Sequence, residues 1–332
     1  MNVSITDIQY YIPKSDYSVD NFVKSKNKNK IIEKTGINKK FKTTNDQYAT
    51  DIAIKAILKL KKNNDLNTID YLIYCSQSPE HILPGGASNI QKFIFKDYQI
   101  PSIDINLGCS GFIYSYSIAQ GLILSSIAKK VLIVTSDTYS KYIDKNDHKN
   151  LSIFGDGCSA TIVERSKKNG FKSLFIQGTD GFGYKDLYVP NSALNKNNIS
   201  KINKNKSDKL YMDGYKVFQF TINKIPKVLK DTLKINKLSN KNIDYIILHQ
   251  ANKNIIESIA RLSFFNKEKF IYSLKYGNTT SSSIPIAIYN SIKQKKIKKN
   301  NYLMICGFGV GLSWSSTVIK INQTLINKIC QF

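Results

Sequence analysis

The sequence predicts an α/β protein made of two similar halves, with helices covering both faces of its sheets. Three observations carry this. Apolar runs of strand length alternate with stretches of helical spacing, which implies a mostly parallel sheet. Patterns from the first half return in the same order in the second: Ile69–Tyr74 as Ile243–Leu248, Lys130–Val134 as Asn301–Ile305, and Phe154-Gly155-Asp156-Gly157-Cys158-Ser159 as Phe308-Gly309-Val310-Gly311-Leu312-Ser313. Three ordered echoes, one with the same glycine spacing, argue for an internal duplication. Finally, Ser102–Leu124 reads as a short strand, a turn with glycine on both sides of a cysteine, and an apolar helix.

The elements follow in chain order. Val3–Ile12 reads as a strand ended by Pro13, and Ser18 onward as a short helix running into the lysine-rich Lys24–Lys34. Thr44-Asn45-Asp46 is placed to cap a helix through Leu60, since Ala49, Ile52, Ala53, Ala56, Ile57 and Leu60 keep helical spacing. Ile69–Cys75 is a strand, and Gly85-Gly86-Ala87 opens a helix to Phe95. After the cysteine turn and its helix come a strand at Lys130–Ser136 and a turn and strand within Ile153–Glu164. The boundary between halves falls near Ser166–Gly170, giving segments 1–168 and 169–332. The Lys- and Asn-rich stretch Asn191–Asp208 reads as an exposed loop.

Composition narrows the function. The 332 residues are 42% hydrophobic and 22% charged, as in a soluble globular protein. No run approaches the length of a membrane span, and the N-terminus lacks the basic and apolar regions of a signal peptide. Five scattered cysteines, with no paired spacing, fit a reducing cytoplasm. The three histidines (His81, His148, His249) are too far apart for a local metal-ligand motif. The net charge of +25 is nearly all lysine, since Arg165 and Arg261 are the only arginines. Lysine spread through loops, without arginine interleaved with aromatics, speaks against nucleic-acid binding and suits an acidic or phosphorylated partner.

Polar residues at strand-to-helix junctions mark the chemistry. Cys109 sits between Gly108 and Gly111 at a helix N-terminus, where the helix dipole and free N–H groups favour a thiolate. His249 opens His249-Gln250-Ala251-Asn252 at the end of a strand in the second half. Asn278 lies in Gly277-Asn278-Thr279-Thr280-Ser281, in a place roughly equivalent to that of Cys109 in the first half. Matching ends of strands in two such halves face one crevice, where open α/β sheets bind ligands.

With these residues in place, the chain resembles the β-ketoacyl-acyl carrier protein synthase III family of thiolase-fold condensing enzymes. The resemblance runs end to end: Thr35-Gly36-Ile37, Cys109, the Phe154–Gly157 segment, His249–Asn252, Gly277–Pro285 and Phe308–Trp314. A Cys–His–Asn set separates this type from relatives with Cys–His–His. The resemblance implies a thiolase-like fold: two duplicated βαβαβαββ halves in five α-β-α-β-α layers. It implies a decarboxylating condensation of an acyl-CoA primer with malonyl-acyl carrier protein, through an acyl-enzyme on Cys109. His249 and Asn278 would stabilise the enolate, and backbone N–H groups of Cys109 and Val310 would form the oxyanion hole. His249 joins the helix dipole as an expected cause of a lowered Cys109 pKa. It also implies a homodimer and no metal or redox cofactor.

Five positions depart from the family pattern. Lys30 and Lys34 stand where the family usually carries a tryptophan and an arginine that clamp CoA. Asn254, flanked by Lys253, replaces the arginine that follows the His249 motif. Val310 occupies a usual glycine of the oxyanion turn. Leu83 stands where a phenylalanine commonly floors the partner's acyl pocket, so the floor is expected to recede. The weakened CoA clamp motivates an alternative, a related acyltransferase or condensing enzyme of a surface-glycan or specialised lipid pathway. A non-enzymatic basic binding protein is the reading that the Cys109–His249–Asn278 set opposes.

Overall fold

The structure is a computed structural model, and it describes residues 2–18, 25–166, 171–194 and 208–331. The chain forms two main sheets. The first contains β1 (Asn2–Tyr11), β4 (Tyr71–Cys75), β5 (Ser102–Ile105), β6 (Lys130–Asp137) and β7 (Gly157–Ser166) in the order β1-β7-β6-β4-β5. The second contains β8 (Ile176–Thr179), β11 (Tyr245–Leu248), β12 (Tyr302–Gly309) and β13 (Ser313–Lys320) in the order β11-β12-β13-β8. Two small ribbons pair β2 (Ser15–Ser18) with β3 (Lys39–Lys42) and β9 (Leu187–Tyr188) with β10 (Tyr211–Met212).

Helices complete five layers. α2 (Ala49–Lys61) and α3 (Gly86–Ile94) pack on the outer face of the first sheet, sharing a core with Leu72, Leu132 and Ile162. α4 (Gly111–Leu124) and α8 (Ser283–Lys293) lie between the sheets, where Phe112, Ile113, Ile284 and Ile288 meet Ile133, Ile247 and Ile305. α6 (Gly214–Ile235) and α7 (Lys253–Leu262) cover the second sheet with Ile225, Leu229, Ile256 and Ile259. The sandwiched position explains why α4 is apolar nearly all round, whereas α7 carries Lys253 and Glu257 on its outer side. Phe112 is fully buried, and truncating such a side chain to alanine typically costs about 3–5 kcal/mol. α1 (Ser25–Thr35), α5 (His148–Leu151) and α9 (Gln323–Cys330) finish the chain.

Three expectations are corrected. The sheets are mixed, not mostly parallel. β4 pairs in parallel with β5 and β6, but β7 runs antiparallel to both β6 and β1. In the second sheet only β11 and β12 are parallel. The β12–β13 connection is three residues long, which suffices for a hairpin but not for the crossover that a parallel pair needs. Ser18 does not begin a helix; it ends β2, while α1 starts at Ser25 and residues 19–24 lie outside the described set. Thr44-Asn45-Asp46 does not cap α2. Tyr48 is the N-cap, and Asp51 reaches back to its N–H at 2.8 Å. Residues 167–170 at the expected boundary, and 195–207 of the expected loop, are not among the described residues.

Candidate active site

Strand ends deliver the expected residues to one cavity of about 1160 Å³, lined by Cys109, His249 and Asn278 together. Cys109 follows β5 in a tight turn, closed by the Gly111 N–H donating to the Gly108 carbonyl at 2.8 Å. The two glycines are required for space. A Cβ on Gly108 would overlap the Gln77 side chain, and one on Gly111 would overlap the Cys75 sulfur. Across the cavity, a Cβ on Gly309 would lie 2.9 Å from the Cys109 sulfur, so a bare backbone there is what leaves the nucleophile open.

The thiol is not lowered in the way the helix dipole and His249 suggest. Burial pushes Cys109 up to about 12, the nearby Asp137 carboxylate adds to that, and the N–H groups of Val310 and of Cys109 itself pull the other way. Two N–H donors do not replace the lost hydration of a thiolate. Those same two N–H groups are the expected oxyanion donors, and both lie close enough to the sulfur to offset part of its burial. Val310 sits in the β12–β13 turn. Gly311, at φ +141, takes a backbone angle that a side chain would strain. The Ser313 hydroxyl donates to the Val310 carbonyl at 2.8 Å and meets the Ser110 hydroxyl at 2.7 Å, tying the oxyanion turn to the cysteine turn.

His249 follows β11 directly, and its N–H donates to Cys306 of the neighbouring β12 at 2.8 Å. The ring is buried edge-on against Phe308, with Nδ1 2.8 Å from the Ser283 hydroxyl. Burial pulls its pKa down to about 3, so the imidazole is neutral at physiological pH. Asn252 ends the His249-Gln250-Ala251-Asn252 motif by capping α7, its side chain accepting from Ile255 N–H at 2.9 Å.

Asn278 is held by the Phe154–Gly157 segment. Its N–H donates to Ile153 and its carbonyl accepts from Gly155 N–H, at 2.9 and 3.0 Å. Gly277, at φ +76, makes this approach possible, because a Cβ there would lie 2.9 Å from the Ile153 carbonyl. The Asn278 side-chain oxygen accepts from Thr280 N–H at 2.9 Å, which leaves the amide NH₂ as the end free to donate.

Lys30, Lys34 and Asn254 line the same cavity. Lys253 is not among the lining residues; its ammonium lies 3.8 Å from Glu257 on α7. Leu83 lies outside this cavity and is 85% exposed. Sequence reasoning missed His148, Lys209, Tyr211 and Tyr215, which also line it. The aspartate–glycine start of α6 at Asp213-Gly214 was a usable signal for the last of these, since Asp213 caps the helix that places Tyr215. Among the described residues, no group of three His, Cys, Asp or Glu could hold a metal ion, and no helix is long and apolar enough to cross a membrane.

Comparison with known proteins identifies the family. A model of the 3-oxoacyl-[acyl-carrier-protein] synthase III family matches residues 103–181, and the model of its C-terminal part matches residues 233–321. A β-ketoacyl-[acyl-carrier-protein] synthase III of Fusobacterium nucleatum is 33% identical over 325 residues, covering 96% of this chain and 98% of that protein. One from Clostridium tetani is 34% identical over 304 residues, covering 89% and 90%. The crystal structure of a 3-oxoacyl-(acyl-carrier protein) synthase from Burkholderia xenovorans superposes with a TM-score of 0.91 at 29% identity, covering 98% of this chain and 96% of that one. With relatives above 30% identity along nearly its whole length, the chain belongs to the β-ketoacyl-[acyl-carrier-protein] synthase III family.

Proposed function

We propose that the chain condenses an acyl-CoA primer with malonyl-acyl carrier protein, the step that initiates fatty-acid synthesis. The observation that carries this reading is the convergence of Cys109, His249 and Asn278 on one cavity, in a chain of this family. The Cys109 sulfur attacks the primer thioester carbonyl, a C–S bond forms, and CoA leaves as its thiol after taking up a proton. The Cys109 and Val310 N–H groups, which counter the effect of burial on the thiol, stabilise both the thiolate and the tetrahedral oxyanion that follows. The malonyl group then loses CO2, and its electron pair becomes an enolate. Neutral His249 and the Asn278 amide donate to the enolate oxygen. The enolate carbon attacks the acyl-cysteine carbonyl, forming the new C–C bond and returning the sulfur. The Cys109 sulfur and the substrates supply every electron pair, so the scheme calls on no cofactor.

Lys30, Lys34 and Asn254 are the groups for the CoA and acyl carrier protein end of the cavity, with Lys253 beside them on α7. Lysine holds phosphate as a point charge, without the bidentate grip of arginine. The sheet pairings support two duplicated halves, 1–168 and 169–332. β4–β6–β7 and β11–β12–β13 each run parallel and then antiparallel. Exposed Leu83 fits a homodimer in which it reaches the partner's acyl pocket. The protein is assigned to the cytoplasm. No observation favours the surface-glycan or specialised-lipid alternative.

The test separates the half-reactions. His249→Ala and Asn278→Ala each lose on the order of a hundredfold in decarboxylation of malonyl-acyl carrier protein, the usual cost of one oxyanion donor. Both keep substantial acyl transfer to Cys109. Unchanged decarboxylation in the two variants would remove them from this role.

A further inference from the structure

The fully buried carboxylate of Asp137 is used by none of the steps above. It ends β6 and gathers donors from two segments. On one side, Oδ1 accepts from Gln77 N–H at 2.8 Å and from the Ser78 hydroxyl at 3.3 Å. On the other, Oδ2 accepts from the Thr280 hydroxyl and, at 2.8 Å, from the Ser281 hydroxyl. These last two belong to the segment that carries Asn278.

Thr280 is the joint. Its φ of +48 is unusual for a β-branched residue, so something other than local preference holds it there. In that conformation its N–H donates to the Asn278 side-chain oxygen, which sets the direction of the amide NH₂. His249 Nδ1 meets the Ser283 hydroxyl three residues further on, at 2.8 Å. Thr280 therefore orients the Asn278 donor directly, and its hydroxyl is anchored on Asp137.

We propose that Asp137 is a positioning residue for the condensation, holding Thr280 in its left-handed conformation so that the Asn278 amide aims at the oxygen that His249 also serves. The inference rests on the reading of Asn278 and His249 as enolate donors. The Asp137 side chain suits the task because a carboxylate offers acceptors on two edges, and here the edges face opposite segments. Burial raises its pKa to about 6 against the pull of the Thr280, Gln77 and Ser281 donors, so it is ionised and accepting at neutral pH.

Asp137→Asn keeps the shape but turns one edge into a donor. It is expected to slow CO2 release from malonyl-acyl carrier protein by about thirtyfold or more, while acetyl transfer from acetyl-CoA to Cys109, read by protein mass, is slowed by no more than about threefold. Thr280→Val, which keeps the branched shape and removes the hydroxyl, produces the same split, and carries the test if Asp137→Asn fails to fold. Thr280→Ser, which restores the hydroxyl, recovers most of what Thr280→Val loses. Equal losses in both half-reactions, or no recovery with serine, would reduce Asp137 to a structural residue and overturn the proposal. Asn278→Ala separates the two levels. If it slows decarboxylation but Asp137→Asn does not, only the inference falls; if it leaves decarboxylation intact, the reading of the site falls and the inference with it.

Discussion

At the scale of single residues, the chemistry is set by desolvation more than by attraction. Cys109, pushed up to about 12, and His249, pulled down to about 3, do not form a resting thiolate–imidazolium pair at neutral pH. The expected consequence is a thiolate fraction that rises about tenfold per pH unit across the neutral range. Alkylation of the Cys109 peptide by iodoacetamide should rise accordingly from pH 7 to 9 without levelling. A plateau already reached at pH 7 would show a low-pKa thiolate and contradict the burial argument. The identity of Cys109, His249 and Asn278 was legible because each stands at a strand-to-helix junction beside glycine or a distinctive motif. Their environment was not legible. Burial, and the Asp137 charge from a distant strand, depend on which segments the fold stacks above the sulfur.

At the scale of elements, helices and strands were readable wherever apolar spacing was strong, as in α2, β4, β6 and β12. Strand direction was not. Alternation of strands and helices suggested parallel pairing, but the antiparallel β7 and β13 are joined by segments without a covering helix across the sheet. The loop from Ser76 to Gly85 runs from the cysteine turn to the surface. Its inner end packs against the cysteine turn, where Gln77 lies beside Gly108 and accepts from the Tyr139 hydroxyl at 2.6 Å, and its tip presents Leu83 to the outside. If that tip floors a partner's acyl pocket, leucine leaves more depth than a phenyl ring. Leu83→Phe should then shift primer preference toward acetyl-CoA without changing malonyl decarboxylation, in a competition between acetyl-CoA and longer or branched acyl-CoAs. An unchanged preference would show that neighbouring side chains set the depth instead.

At the scale of the molecule, the duplicated architecture brings the ends of β11 and β12 from one sheet against the turn after β5 from the other. Residues far apart in sequence thereby share one cavity. Lys30, Lys34, Lys149 and Lys209 line that cavity beside Asp144, Asp147 and Asp213, in a chain whose net charge of +25 favours encounter with acidic or phosphorylated molecules. The Cys–His–Asn reading makes one demand on the entire chain. Of five cysteines, Cys75, Cys158 and Cys306 are buried in the core, Cys330 is exposed, and only Cys109 lines the cavity. The most direct measurement is therefore peptide mass spectrometry after incubation with a mixture of acyl-CoAs. The account predicts an acyl group on the Cys109 peptide alone, absent from a Cys109→Ala protein. An acyl group on Cys330 or another cysteine, or its persistence in Cys109→Ala, would contradict it.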